Sequence, residues 1–438
     1  MSFFPRRPGP ARPGPARPAP PWPGPPRPAP VPGAVQSVGE GYGMGGVTAV
    51  GPGQQPWTSH TLVGHKGRVF SVAFEPGGGG EGGACPLLAS ASEDGTVRFW
   101  GLMGGAPPGG PVKFKCRGRM EAHKDEVLCL GWAPGGRLLA SGGADGLVRV
   151  WELGVAGGGG AAGGGCIPSG GKAGGAPWGG EFPSRQNAAA AGSDEEVEAK
   201  EVFRLDLPDQ VYESLLLGEG KLLTACADAV QIWDMQAGGA NCMTSVRCQL
   251  LGDAYGGARN AAGTADVFGV AVSEGKLAIA NSDGTVRVHC SRTGAPLACL
   301  HCSQRPVTKC LIDSEGHTVS AGTGDGQILL HDLRMPGQPL GQTDEGHDRP
   351  IYDMLHWAAR PGWLLSCSSD CTVKAWETTG QPPLRPLTQF FRDGYPFHSL
   401  SAEPSGRWLA MAGGNTGFLG TPLYVYDLRQ SLQGGRQT

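Results

Sequence analysis

One twelve-residue pattern recurs along this chain and limits its fold more than any other feature. Ala89–Trp100 returns as Ala140–Trp151, as Ala278–His289 and as Leu365–Trp376. Each copy opens on small residues, passes an Asp-Gly or Asp-Cys turn and closes on an alternating strand. Asp-Gly between two such runs signals a hairpin, because glycine supplies the positive φ that tight hairpin turns need. Weaker copies end at Trp233, His331 and Tyr426. The seven ends are spaced by 42–56 residues, except for one gap of 82 between Trp151 and Trp233. A period of this length means repeated supersecondary units that stack on one another, not independent domains.

Composition explains the long gap. Residues 154–201 carry fourteen glycines between Gly154 and Gly180, then run into Ser193-Asp194-Glu195-Glu196. Removing those 48 residues leaves 34, close to the other spacings. Such a tract buries too little apolar area to offset its ordering entropy. It reads as a flexible loop inserted between the second and third repeat units. Ser193 beside three acids also reads as an acceptor for an acidophilic kinase, against the plainer reading of a solvated charge run. Gly170-Gly171-Lys172 is not a phosphate loop: Cys166 stands where the first glycine is required and Ala173 replaces Ser/Thr.

Residues 1–56 form a second low-complexity segment. Fourteen of the 38 prolines lie between Pro5 and Pro32, with five arginines and no acid before Glu40. Proline at this density favours extended, solvated chain. A ligand for a proline-binding groove and an organelle transit peptide are the other readings. Residues 431–438 read as a short tail.

Charge and cysteine usage exclude several classes. The net charge is −3 and the pI about 6.4, so no basic excess favours nucleic acid or an anionic membrane. No run of about 18 apolar residues predicts a spanning helix. The N-terminus lacks the apolar core of a secretory signal. Thirteen cysteines, an odd number, lie largely in strand-forming stretches and read as reduced thiols of an intracellular protein, cytoplasmic or nuclear.

Upstream of three hairpins stands Gly64-His65, Ala122-His123 or Gly346-His347, each followed by a hydrophobic strand. With these starts, the turn Asp and the closing Trp (Trp233-Asp234 being the literal dipeptide), the chain resembles the WD40 repeat family over about 57–430. The resemblance implies an all-β, seven-bladed propeller of four-stranded blades. It implies a structural tetrad in three units: His65, Ser90, Asp94 and Trp100; His123, Ser141, Asp145 and Trp151; His347, Ser366, Asp370 and Trp376. The third unit keeps Asp228 and Trp233 without a histidine. The fourth and fifth keep Asp283 and Asp325 but end in His289 and His331, and the seventh ends in Tyr426. Family precedent also implies that the isolated strand Trp57–Val63 closes the ring beside Leu423–Asp427.

Nothing in the sequence points to catalysis. The histidines fall in structural contexts, and no serine sits in a nucleophile elbow. Cys299-Leu-His-Cys302 spaces its thiols to opposite faces of a strand, whereas zinc needs four convergent ligands. No metal or cofactor is expected. In the family, the innermost strand of each blade starts at the top face. Aligning those starts brings Phe70, Leu128, Tyr212, Phe268, Thr308, Tyr352 and His398 to the rim of the central channel. Four of these seven are Phe or Tyr in a chain with 7% Phe, Trp and Tyr, and His398 adds a fifth aromatic ring, which marks a surface able to anchor a protein or peptide partner. The rim supplies no convergent polar cluster for chemistry. Separately, Val319–Arg334 resembles the box by which WD40 substrate receptors reach a cullin–RING ubiquitin ligase adaptor, with His331 where the family has Trp. Tyr426-Asp427-Leu428-Arg429 repeats the ending, so Arg334 and Arg429 are the candidate adaptor contacts. The reading is a non-enzymatic interaction scaffold, with the ligase receptor as its rival.

Overall fold

The computed structural model describes residues 58–76, 87–102, 113–155, 196–218, 220–235, 240–248, 264–391, 395–414 and 423–428, all within the unit Val47–Thr438. The tails, most of the glycine-rich insertion, Ser193 and Arg429 lie outside the described residues.

Seven four-stranded antiparallel sheets form the chain's architecture. The first blade runs from its innermost strand Val69–Phe74 through Leu88–Ser92 and Thr96–Leu102 to its outer strand Phe114–Glu121. Its second strand, Leu-Ala-Ser-Ala-Ser, is buried at every position. Small side chains are needed there because each blade face is covered by a neighbouring blade. The turn after it places Gly95 at φ 75°, and Gly146 and Gly284 occupy the same place at 75° and 81°. Cys371 takes that left-handed conformation in the sixth blade at 67°, which costs a side-chain-bearing residue some strain.

Among the described residues seven apolar clusters hold the blades together, one for each contact between adjacent blades. The cluster joining the seventh blade to the first packs Trp408 and Val425 against Val69 and Leu88. That blade is completed by the first strand of the chain. Thr58–Leu62 pairs antiparallel with Leu423–Asp427, from Thr58 opposite Asp427 to Leu62 opposite Leu423. Such pairing closes the ring and covers an edge that would otherwise be open.

The insertion boundaries 154–201 are corrected at both ends. Leu147–Val155 and Val197–Asp206 are the third and outer strands of the second blade, paired from Val155 opposite Val197 to Leu147 opposite Asp206. The break therefore falls inside one blade. The acidic run masked a strand: Val197 is buried and Glu198 exposed, with Ala199 half-buried, a period of two that composition alone hides.

Candidate functional site

The channel mouth is shaped by one irregularity repeated in every blade. In the first blade Val69 pairs with Ser92 and Ser71 with Ala91, so Phe70 is left without a partner. The same skip falls on Leu128, Tyr212, Phe268, Thr308, Tyr352 and His398. Each rim position is thus the extra residue of a β-bulge, a device that re-aims a side chain away from the regular alternation. The residue before it is core in all seven blades, from Val69 at 0% exposure to Phe397 at 2%. The bulged residues are all half-buried.

Three of them pack together. Tyr352 lies 4.9 Å from His398 between ring centroids, and Phe70 lies 5.8 Å from it on the other side. The Arg68 guanidinium stacks over Phe70 at 4.9 Å and is held by Glu93. Thr308 turns its hydroxyl to the Gly322 and Ile351 carbonyls. Burial, then the Arg68 charge, depress His398 to about 4. A histidine depressed in the native state binds its proton more readily unfolded. Its contribution to stability is full above 6.5 and is lost as pH falls from 6.5 to about 4. At roughly 1.4 kcal/mol per pKa unit the loss is about 3 kcal/mol. Burial also depresses His60, His123 and His331, in the same direction. The melting temperature should therefore fall across that interval, and less steeply in His398→Gln. Equal slopes in the two proteins would show that His398 is solvated.

Directly inside the rim stands a charge cluster that corrects the expectation of a channel mouth without convergent polar groups. Lys309 Nζ donates to both Glu213 oxygens at 3.2 and 3.1 Å and lies 3.4 Å from Asp353 Oδ1. These residues come from the fifth, third and sixth blades. Gly269 of the fourth blade makes the crossing feasible, since a Cβ there would meet Lys309 Cα at 3.2 Å and Cδ at 3.3 Å. Asp353 is further satisfied by Ser399 Oγ–H at 3.1 Å and the Leu400 N–H at 2.9 Å. The three side chains are only 14–17% exposed. Burial alone would lower the Lys309 ammonium, but the two carboxylates outweigh it and raise it. Burial raises Glu213, with Lys309 pulling it back. The signal was present one column beyond the rim: a Glu, a Lys and an Asp in otherwise largely apolar innermost strands.

The three tetrads are closed networks. Trp100 Nε1–H donates to Ser90 Oγ at 2.8 Å, so the serine proton goes to His65 Nε2 at 2.8 Å. His65 Nδ1 then carries the hydrogen that faces Asp94 at 3.2 Å. The second network has Trp151–Ser141 at 2.9 Å, Ser141–His123 at 2.8 Å and His123–Asp145 at 2.9 Å. In the third, all three corresponding distances around Trp376, Ser366, His347 and Asp370 are 2.8 Å. Burial would raise Asp370, yet His347 and Thr372 hold it down to about 2. Weaker repeats use substitutes. Ser303 Oγ–H reaches Asp325 at 3.2 Å, Arg287 pairs with Asp283, and Trp233 Nε1–H donates to Thr224 at 3.0 Å.

The remaining candidates are scattered. Cys299 is exposed on an outer strand, while Cys302 Sγ lies 3.7 Å from His331 Nε2. The eleven described cysteines are free thiols. Among the described residues no group of three or more His, Cys, Asp or Glu could hold a metal ion. No helix among them is long and apolar enough to cross a membrane. Arg334 lies in the loop between the third and outer strands of the fifth blade, 66% exposed and paired to its neighbour Asp332 at 2.7 Å.

Closed ring, four-stranded blades and Trp–Ser–His–Asp networks define a β-propeller of the repeat-built kind. The WD domain, G-beta repeat model matches residues 57–101 and 114–152, and the Nucleolar protein 10-like, N-terminal domain model matches 223–388. These matches show WD40 repeats in the chain. Coronin-7 of Mus musculus is 37% identical over 91 residues, 21% of this chain and 8% of that protein. Protein CIA1 of Arabidopsis thaliana is 36% identical over 92 residues, 21% of this chain and 25% of that protein. The chain thus matches only a small part of these relatives. Among solved structures, the WD40 propeller domain of Doa1 superposes with a TM-score of 0.57 at 15% identity. That superposition covers 86% of this chain and 97% of that one. This likeness concerns the fold.

Proposed function

We propose that this propeller is a non-enzymatic scaffold whose protein or peptide partner docks on the top-face rim. The observation that carries the reading is the sevenfold bulge, which sets Phe70, Leu128, Tyr212, Phe268, Thr308, Tyr352 and His398 half-buried around one mouth. WD40 propellers generally bind protein partners, which supports it. The odd count of thirteen cysteines in strand-forming stretches supports an intracellular location, and the match of the Nucleolar protein 10-like, N-terminal domain model over 223–388 supports the nucleus.

Proximity labelling identifies the neighbours, and the purified principal partner is then titrated against Tyr212→Ala with Tyr352→Ala. Each ring contributes roughly 1.5–3 kcal/mol on burial, less ordering costs, so affinity should fall about tenfold or more. The melting temperature should stay within a few degrees. An unfolded double variant would make the tyrosines core. A folded one with full affinity would move the site elsewhere.

The second reading, a substrate receptor of a cullin–RING ubiquitin ligase, rests on the exposed Arg334 and on Arg429 in the repeated Asp-Leu-Arg ending. Recovery of the ligase adaptor with the protein, lost on Arg334→Ala, would carry it.

A further inference from the structure

The two faces of the ring differ in charge far more than the net −3 of the chain suggests. Loops entering the innermost strands and turns between second and third strands open on the top face. The other connections open on the bottom face. Among the described residues, the top-face connections hold fourteen Asp and Glu against five Lys and Arg, while the bottom-face connections hold six of each. Asp94, Asp145 and Asp370 are held low, their histidine hydrogen bonds among the partners that outweigh burial. Of the turn acids, Glu93 is paired with Arg68 and Asp283 with Arg287.

The rim divides into two halves under this field. Over the sixth, seventh and first blades, Tyr352, His398, Phe70 and Arg68 pack on one another. Over the third and fourth blades, neither Tyr212 nor Phe268 has a ring or cation against it among the described residues. Asp209 and Asp266 lie in the top-face connections that lead directly into the strands carrying Tyr212 and Phe268; burial first, then these two charges, push the Tyr212 phenol up to about 12. His398 Nε2 is buried with no hydrogen-bond partner.

Resting on the rim as the docking site, we infer that its occupant is an arginine- or lysine-bearing segment of a partner protein, the cation seated on Tyr212 and Phe268 beside Asp209 and Asp266. Aromatic faces attract cations by their quadrupole, and carboxylates take the same group through charge-assisted hydrogen bonds. The acidic face adds long-range steering, which speeds encounter and weakens with salt. Glu213 and Asp353 do not offer a second anionic seat deeper in, because the Lys309 ammonium already lies between them. The same field repels nucleic acid.

The test uses the full chain and three fluorescein-labelled Gly/Ser peptides of equal length, bearing arginines, glutamines or glutamates. Anisotropy is read at about 50 and about 300 mM salt, where screening differs strongly. The arginine peptide should bind about tenfold tighter than the glutamine peptide at low salt and lose most of that advantage at high salt. Asp209→Asn with Asp266→Asn should cost about tenfold, while the bottom-face pair Glu274→Gln with Glu315→Gln changes little. Equal binding of the glutamate peptide, or competition by duplex DNA without the bottom-face pair mattering, overturns the cationic occupant. If the Asn pair is silent but Tyr212→Ala with Phe268→Ala abolishes binding, the rim stands and its preference for cations falls. Should neither pair alter binding of the arginine peptide, rim and preference fall together.

Discussion

Lys309→Met is expected to destabilise the protein by about 3 kcal/mol and to lower its melting temperature by roughly 5 °C or more. Methionine fills similar volume, so packing is nearly conserved. What changes is that Glu213 and Asp353 lose the cation between them, at 14–15% exposure. Removing one partner of a buried ion cluster strands the others, and that costs more than the cluster contributes relative to apolar residues. The effect should depend on pH with a definite sign. Stranded carboxylates have raised pKa values, so the native state holds extra protons and gains stability as pH falls. The gap between parent and variant should therefore narrow from about pH 8 to about pH 5. Adding Glu213→Gln should recover part of the loss, since Asp353 keeps Ser399 and the Leu400 N–H. A single variant within about 1 kcal/mol of the parent at pH 8, or a double variant no better than the single, would show a solvated cluster.

A still larger effect is expected at the chain's first strand. Removing residues 1–56 should leave the melting temperature unchanged, while removing 1–64 should lower it by about 10 °C or abolish soluble expression. The second truncation deletes Thr58–Leu62, its five pairings with the last strand, and the buried Leu62 side chain. It also bares the Leu423–Asp427 edge, which is free to pair with another chain. Size-exclusion chromatography and thermal melts of both truncations separate the outcomes. Equal melting and equal solubility would mean that the ring is closed by the apolar cluster around Trp408 alone.

The blades were legible because each is written as a hairpin with its own turn residue. Asp94-Gly95 and Asp145-Gly146 specify both the left-handed turn and the carboxylate that a histidine later meets. The rim column was legible for the same reason, as one register of a repeat. Its bulge was not, because no residue type marks the skip: Phe70, Thr308 and His398 share nothing but position. Lys309 escaped notice for a different reason. Its partners Glu213 and Asp353 lie in blades that meet only across the channel, and the glycine that lets it pass is in a fourth. Contacts through a closed ring have no local sequence signature. In the weaker repeats the substitutes were equally hidden, since Ser303 and Arg287 replace histidine by chemistry and not by alignment.

Closure by the two ends also sets a timetable. Thr58 and Asp427 are partners 369 positions apart. During synthesis at roughly 5–20 residues per second, the opening strand waits about 20–75 s for the segment that will hold it. Internal blades complete themselves from neighbouring sequence in that time, whereas the first strand stays an unpaired β-segment on a growing chain. Long-range pairing of this kind is slow and leaves sticky edges exposed. The nascent protein therefore depends on whatever shields Thr58–Leu62 until the last hairpin leaves the ribosome. Slowing synthesis between Thr58 and Asp427 is therefore expected to lower the soluble yield.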